Sequence, residues 1–201
     1  MFSAPDIHQI PVVESANKGW IEVICGPMFS GKTEELIRRL KRALIAKQRI
    51  EIFKPVIDRR YHQENVVSHD ERSIRSTPVS FSNDILLPAG NCQVIGIDEA
   101  QFFDVDIVTV CVTMANKGKR VIVAGLDLDY TAKPFGAIPQ LLAVSEYVTK
   151  LQSICVICGN LASFTFRKTN DQQKIKVGAT ESYEPRCRHC FVNGMLKSEK
   201  S

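Results

Sequence analysis

The sequence predicts an α/β protein with a mainly parallel sheet, built around a phosphate-binding loop and extended by a small four-cysteine unit. Three observations predict it. Apolar strand-like runs alternate with helix-spaced segments as far as residue 150, the pattern of a sheet wound with helices. Residues 26–33 read GPMFSGKT, a full match to G-x-x-x-x-G-K-[ST], set between a strand and a helix. Cys155, Cys158, Cys187 and Cys190 form two C-x-x-C pairs with 28 residues between them.

Taken in order, residues 20–25 (WIEVIC) read as the first strand. A helix over 32–48 follows, with Leu36, Ile37, Leu40 and Leu44 as its apolar stripe and Arg38, Arg39, Lys41 and Arg42 on a solvated face. Glu34 and Glu35 pair with Arg38 and Arg39 at i,i+4. Residues 50–54 make a second strand, stopped by Pro55. Residues 56–78 are polar and weakly patterned, which marks a functional loop in a compact domain. Residues 94–97 and 121–124 are apolar throughout, as strands buried on both faces are. Between them, 105–116 carries Val108, Cys111, Val112 and Ala115 at helical spacing, and Gly118 ends it. Residues 138–148 read as a further helix. Past 150 come the cysteine pairs and two short β-like runs, 163–167 and 174–177. The expected division is a flexible N-terminus at 1–18, a core at 19–150, a metal-held unit at 151–192 and a flexible tail at 193–201.

Composition narrows the class. A chain of 201 residues, 44% hydrophobic and 24% charged, suits one main domain with a small appendage. A net charge of +4 is too weak to argue for nucleic acid. A basic-then-apolar leader and an apolar run long enough to cross a bilayer are both missing, so the expectation is a soluble cytoplasmic protein without a membrane partner. Seven cysteines, an odd count without a leader, argue against a disulfide framework. Cys25, Cys92 and Cys111 read as packing residues.

The motifs carry the chemistry. Gly26 and Gly31 let the loop turn its backbone N–H groups onto phosphate oxygens, and the following helix adds its positive end. Lys32 reaches the terminal phosphates, and Thr33 offers its hydroxyl to Mg²⁺. The strand 94–97 ends in Asp98-Glu99-Ala100-Gln101, and Asp98 stands where such proteins hold Mg²⁺. Glu99 is then available to polarise water, giving an NTPase, or to take a proton from a substrate hydroxyl, giving a kinase. Four thiolates make a closed tetrahedral site, so the cysteine pairs are assigned a structural Zn²⁺.

In chain order, GPMFSGKT, IDEAQFF, GLDLDYTAKPFGAI and the two C-x-x-C pairs resemble the type II thymidine kinases, a zinc-containing cytosolic family, over residues 22–190. The resemblance implies a RecA-like P-loop core with a zinc-held lid, and transfer of the γ-phosphate of ATP to the 5′-hydroxyl of thymidine. It implies that Glu99 is the base and that Thr33 and Asp98 serve Mg²⁺. ATP is expected on Gly26, Pro27, Met28, Phe29, Ser30, Gly31, Lys32 and Thr33, and on Asp98, Glu99, Ala100 and Gln101. The nucleoside pocket would take Met28, Phe102, Leu126, Tyr130 and Phe135. Thr165, Val177, Gly178 and Tyr183 fall in the family's lasso, which folds over the base, and Asp58 and Arg60 fall near the sugar and the reacting phosphate. Family members are homotetramers, often inhibited by dTTP. The thymine methyl is worth only about 1–3 kcal/mol in a pocket, so deoxyuridine should also react. Two alternatives stand beside this reading. One is another P-loop deoxynucleoside or nucleotide kinase. The other is a zinc-ribbon ATPase module that binds nucleic acid, against which stand the single core, the modest charge and the acids that dilute the basic residues of the cysteine region.

Overall fold

A computed structural model describes residues 18–56, 65–66, 74–168 and 182–198. Strand β1 (Trp20–Cys25) runs into the glycine-rich loop and helix α1 (Lys32–Ile45). Next come β2 (Ile50–Pro55), the short antiparallel pair β3 (Asn65–Val66) and β4 (Ile74–Arg75), and β5 (Thr77–Val79). Strand β6 (Val94–Ile97), helix α2 (Ile107–Asn116), strand β7 (Arg120–Gly125), helix α3 (Ile138–Val144) and strand β8 (Tyr147–Lys150) complete the core. The sheet order is β5-β2-β6-β7-β1-β8, with every neighbouring pair parallel.

The sheet has a core on each face. Leu36, Ile37, Leu40 and Ala43 of α1 pack with Ile24, Ile52, Val94 and Ile122 on one side. On the other, Ile107, Val110, Cys111 and Met114 of α2, with Ile138 and Leu141 of α3, cover Val23, Ile95, Ile97, Val121 and Val123. The fully apolar strands are thus buried on both faces, as expected of a parallel sheet.

The cysteine region holds β9 (Ser153–Ile154), β10 (Leu161–Ala162), β11 (Phe164–Arg167), β12 (Tyr183–Arg186) and helix α4 (Arg188–Ser198). The pairs β9–β10 and β11–β12 are antiparallel. Phe164 and Phe191 stack at 5.0 Å, and this aromatic cluster, with Phe166, rests on Leu128 and Ala132 of the core. Residues 193–198 therefore lie in α4, where the sequence suggested a tail.

Three expectations need correction. The helix expected over 138–148 stops at Val144, and 147–150 form β8. Without β8 the outer edge of β1 would be unpaired. Glu146 begins the switch, its carboxylate accepting the Ile21 N–H at 2.7 Å and its own N–H donating to the Ile21 carbonyl. Leu44 is 46% exposed, and Ala43 takes the inward position at that end of α1. Arg39 is not on a solvated face. It reaches Glu22 at 2.8 Å, Glu35 at 2.8 Å and the Thr149 hydroxyl at 2.9 Å, and Arg120 holds the same Glu22 at 2.6 Å.

Candidate active site

The carboxyl ends of β1, β6 and β7 converge, and the glycine-rich loop, the acidic pair after β6 and the segment after β7 meet there. The loop's shape depends on its glycines. Gly26 has φ +141°, and a Cβ there would collide with the Leu151 carbonyl; Gly31 has φ +81°. Lys32 curls back, its Nζ donating to the Pro27 carbonyl at 2.7 Å. Burial lowers the Lys32 pKa, while Glu99, Asp98 and Asp127 act in the opposite direction.

The Thr33 hydroxyl lies 3.2 and 3.3 Å from the two Asp98 carboxylate oxygens. Those groups could hold a divalent cation beside the phosphates. Burial and the neighbouring Glu99 push Asp98 up to about 7, against the opposing pull of the Glu99 N–H, Thr33 and Lys32. A hard cation at this point would meet a buried carboxylate whose charge is otherwise poorly compensated, so the donor set fits Mg²⁺. Glu99 occupies the left-handed region, φ 53° and ψ 38°, which is uncommon for a side-chain-bearing residue and is found often at functional sites. Gln101, 3% exposed, donates from Nε2 to Glu99 at 2.5 Å and accepts the Leu126 N–H on Oε1 at 2.9 Å. Ala100 is fully buried.

A second wall is apolar and aromatic. Phe102 and Phe135 meet edge to face at 5.5 Å, both half-buried, and Leu126 is half-buried beside Gln101. The segment carrying Tyr130 is tied by Asp129, whose Oδ1 accepts from Thr131 N–H, Thr131 hydroxyl and Lys133 N–H at 2.8, 2.7 and 3.0 Å. The Tyr130 ring lies under the Arg167 guanidinium at 3.9 Å, and Arg167 also donates to the Tyr183 hydroxyl at 2.7 Å. Thr165 accepts the Met28 N–H at 3.0 Å, and Ser153 donates to the Phe29 carbonyl at 2.9 Å. The cysteine region therefore holds the middle of the phosphate loop directly. Asp58, Arg60, Val177 and Gly178 lie outside the described residues.

The Sγ atoms of Cys155, Cys158, Cys187 and Cys190 all lie within 4.8 Å of one another, with Cys158 and Cys187 3.6 Å apart. Tetrahedral zinc, with bonds of about 2.3 Å, needs sulfurs roughly 3.8 Å apart, so this cluster could bind that metal.

One pair escaped the sequence reading. Asp127, 7% exposed, binds Lys150 Nζ through Oδ2 at 2.7 Å, while its buried Oδ1 meets no donor among the described residues. Register puts Gly125 and Lys150 on either side of Cys25, so the ion pair lies across the end of β1 where the loop begins. Burial, with Asp127 next, pushes the Cys25 thiol up to about 11. The signal was present: Asp127 follows a buried strand just as Asp98 does.

Among known proteins, a model of the thymidine kinase family matches residues 19–191. The thymidine kinase of Rhodothermus sp. (strain ITI 518) is 60% identical over 173 residues, 86% of this chain and 81% of that one. That of Bacteroides thetaiotaomicron is 55% identical over 181 residues, 90% of this chain and 91% of that one. That of Porphyromonas gingivalis is 53% identical over 178 residues, 89% and 87% of the two chains.

Proposed function

The chain belongs to the thymidine kinase family, and from that premise we propose that it transfers the γ-phosphate of ATP to the 5′-hydroxyl of thymidine, giving dTMP and ADP. The observation that carries the reading to residues is that the two successive carboxylates at the end of β6 have different partners. Asp98 lies against the Thr33 hydroxyl beside the phosphate loop, while Glu99 accepts from Gln101 Nε2.

In this reading the loop N–H groups and Lys32 bind the triphosphate, and Lys32 leaves the Pro27 carbonyl to do so. Thr33 and Asp98 would hold Mg²⁺, which would supply charge neutralisation for the transferring phosphate. Met28, Phe102, Leu126, Tyr130 and Phe135 line the nucleoside side, and Thr165 and Tyr183 anchor the two strands of the lid over it. Glu99 takes the proton of the 5′-hydroxyl as that oxygen attacks phosphorus, a term worth roughly 10²–10⁴-fold. The four cysteines would hold a structural Zn²⁺, which would keep the lid against the loop. Asp58, Arg60, Val177 and Gly178 complete the sugar and base contacts. A homotetramer in the cytoplasm, inhibited by dTTP, completes the proposal.

The test is a coupled assay with ATP, Mg²⁺ and a panel of nucleosides. Thymidine should turn over fastest, deoxyuridine less well, and deoxycytidine far less, because its donor and acceptor are exchanged where the pocket reads the base. Turnover of deoxycytidine equal to that of thymidine would favour a kinase of different specificity.

A further inference from the structure

We propose that Gln101 is a positioning residue, which holds the Glu99 carboxylate for proton transfer by tying it to the backbone of the nucleoside wall at Leu126. The proposal rests on the reading of Glu99 as the base. It gives Gln101 a role different from the ATP contact that the DEAQ motif suggests.

The orientation of the Gln101 amide follows from its neighbours. The Leu126 N–H can only donate, so the oxygen end must face it, at 2.9 Å. The NH₂ end is then left for Glu99, at 2.5 Å. With the residue 3% exposed, water has little access to reorder this arrangement. Glu99 needs such support. It lies outside any regular element, in a left-handed turn, with its N–H committed to Asp98 Oδ1 at 3.0 Å. The hydrogen bond from Gln101 Nε2 is therefore what ties its carboxylate to a buried neighbour.

Two glycines make room for the strut. At Gly125, the last residue of β7, a Cβ would lie 2.8 Å from Gln101 Oε1 and 2.6 Å from Ile138 Cδ1. At Gly136, in the KPFGAI run, φ is +54° and a Cβ would collide with the Gln101 carbonyl. Gln101 is thus gripped at its amide by the end of β7 and at its backbone by the turn before α3. Leu126 and Phe135, on the nucleoside wall, are the immediate neighbours of those two glycines. A nucleoside seated on that wall would press on the same segments that fix the base, so acceptor binding and base alignment share one support.

The test is a double-mutant cycle of Glu99→Gln and Gln101→Met, read as kcat, KM for thymidine, KM for ATP and melting temperature, with residual rates followed by labelled thymidine. Misplacing a reacting group by about 1 Å costs up to about 10²-fold, so Gln101→Met should lower kcat about 10- to 100-fold. Both KM values should stay within about threefold, since the loss falls on the chemical step. In the Glu99→Gln background the same change should add less than about twofold, because residues that act as a unit are not additive. If Gln101→Met does not fold, Gln101→Glu keeps the acceptor for Leu126, removes the donor to Glu99, and should show the same kcat loss. The proposal is overturned by an unchanged kcat, by a loss confined to KM for ATP, or by a Gln101 effect that multiplies in full on Glu99→Gln. Wild-type turnover in Glu99→Gln alone would overturn the base assignment itself, and the positioning role with it.

Discussion

The parallel core and the four-cysteine region grip the same phosphate loop by opposite means. In the core, β1 is buried along nearly its whole length between two apolar layers, and α1 carries the loop's far end into one of them. The cysteine region has only two small clusters. One is Cys155, Ala162 and Cys190 with Cys187 beside them, and the other is Phe164, Phe166 and Phe191 resting on Leu128 and Ala132 of the core, while Ile154, Val156, Ile157 and Leu161 are all more than half exposed. A unit this small rarely buries enough apolar surface to hold itself, and the four thiols could hold a metal in place of a larger core. The α1 side of the loop thus draws its order from burial, and the middle of the loop is held by a region built round four cysteines that could bind a metal. The difference teaches that the two halves of the site should fail separately.

Zinc removal is the strongest way to break the comparison. Structural zinc binding is worth about 10–16 kcal/mol in small peptides, so chelation or Cys187→Ser should abolish turnover. Amide exchange should accelerate across β9 to β12, while β1, β6 and β7 stay protected. Equal loss of protection in the sheet would mean that the two regions are one cooperative unit. Metal analysis of the purified protein should find zinc near one per chain.

Asp98 tests the donor side and should separate stability from function. Its folded pKa, about 7, lies above the ordinary value of 3.8. The native state therefore holds a proton that the unfolded chain releases between those values, and stability falls as pH rises through that window. Above about pH 7 the penalty is complete. Asp98→Asn should raise the stability of the ligand-free protein at pH 8 by roughly 1–4 kcal/mol, with a smaller gain at pH 5. Turnover should be lost at both. A lower melting temperature at pH 8 would show that Asp98 is well compensated without a cation.

Lys150→Met probes the pair across the base of the loop. It leaves the buried Asp127 carboxylate without its cation and should cost about 1–3 kcal/mol, less than a fully buried pair because Lys150 is half exposed. The loss should appear in the melting temperature of the core and leave the zinc content unchanged. The smallest effect is expected from Thr165→Val, which removes the acceptor for the Met28 N–H. About 1 kcal/mol should be lost, read as a raised KM for thymidine with little change in melting temperature.

Much of this was legible in the sequence because each signal was local. The loop, the Asp98–Glu99 step and the cysteine pairs are fixed spacings, and the buried strands are unbroken apolar runs. What was misread depended on distant partners. Residues 138–148 have a helical pattern, yet the open edge of β1 draws Tyr147, Val148 and Thr149, all good strand formers, into β8. Arg39 looks solvated on its own helix and is covered because Glu22 and Thr149 bind it from two strands, with Arg120 of a third on the same Glu22. Gln101 belongs to a motif, but its amide oxygen is bound by Leu126, 25 residues away. Among the described residues no helix is long and apolar enough to cross a membrane.

The most direct measurement is the rate of labelled phosphate transfer from ATP to thymidine in the presence of Mg²⁺, for the native protein and for Glu99→Gln. The native protein should form dTMP, and the variant should lose at least about 10²-fold with ATP binding intact. No dTMP from the native protein, or equal rates from the two, would contradict it.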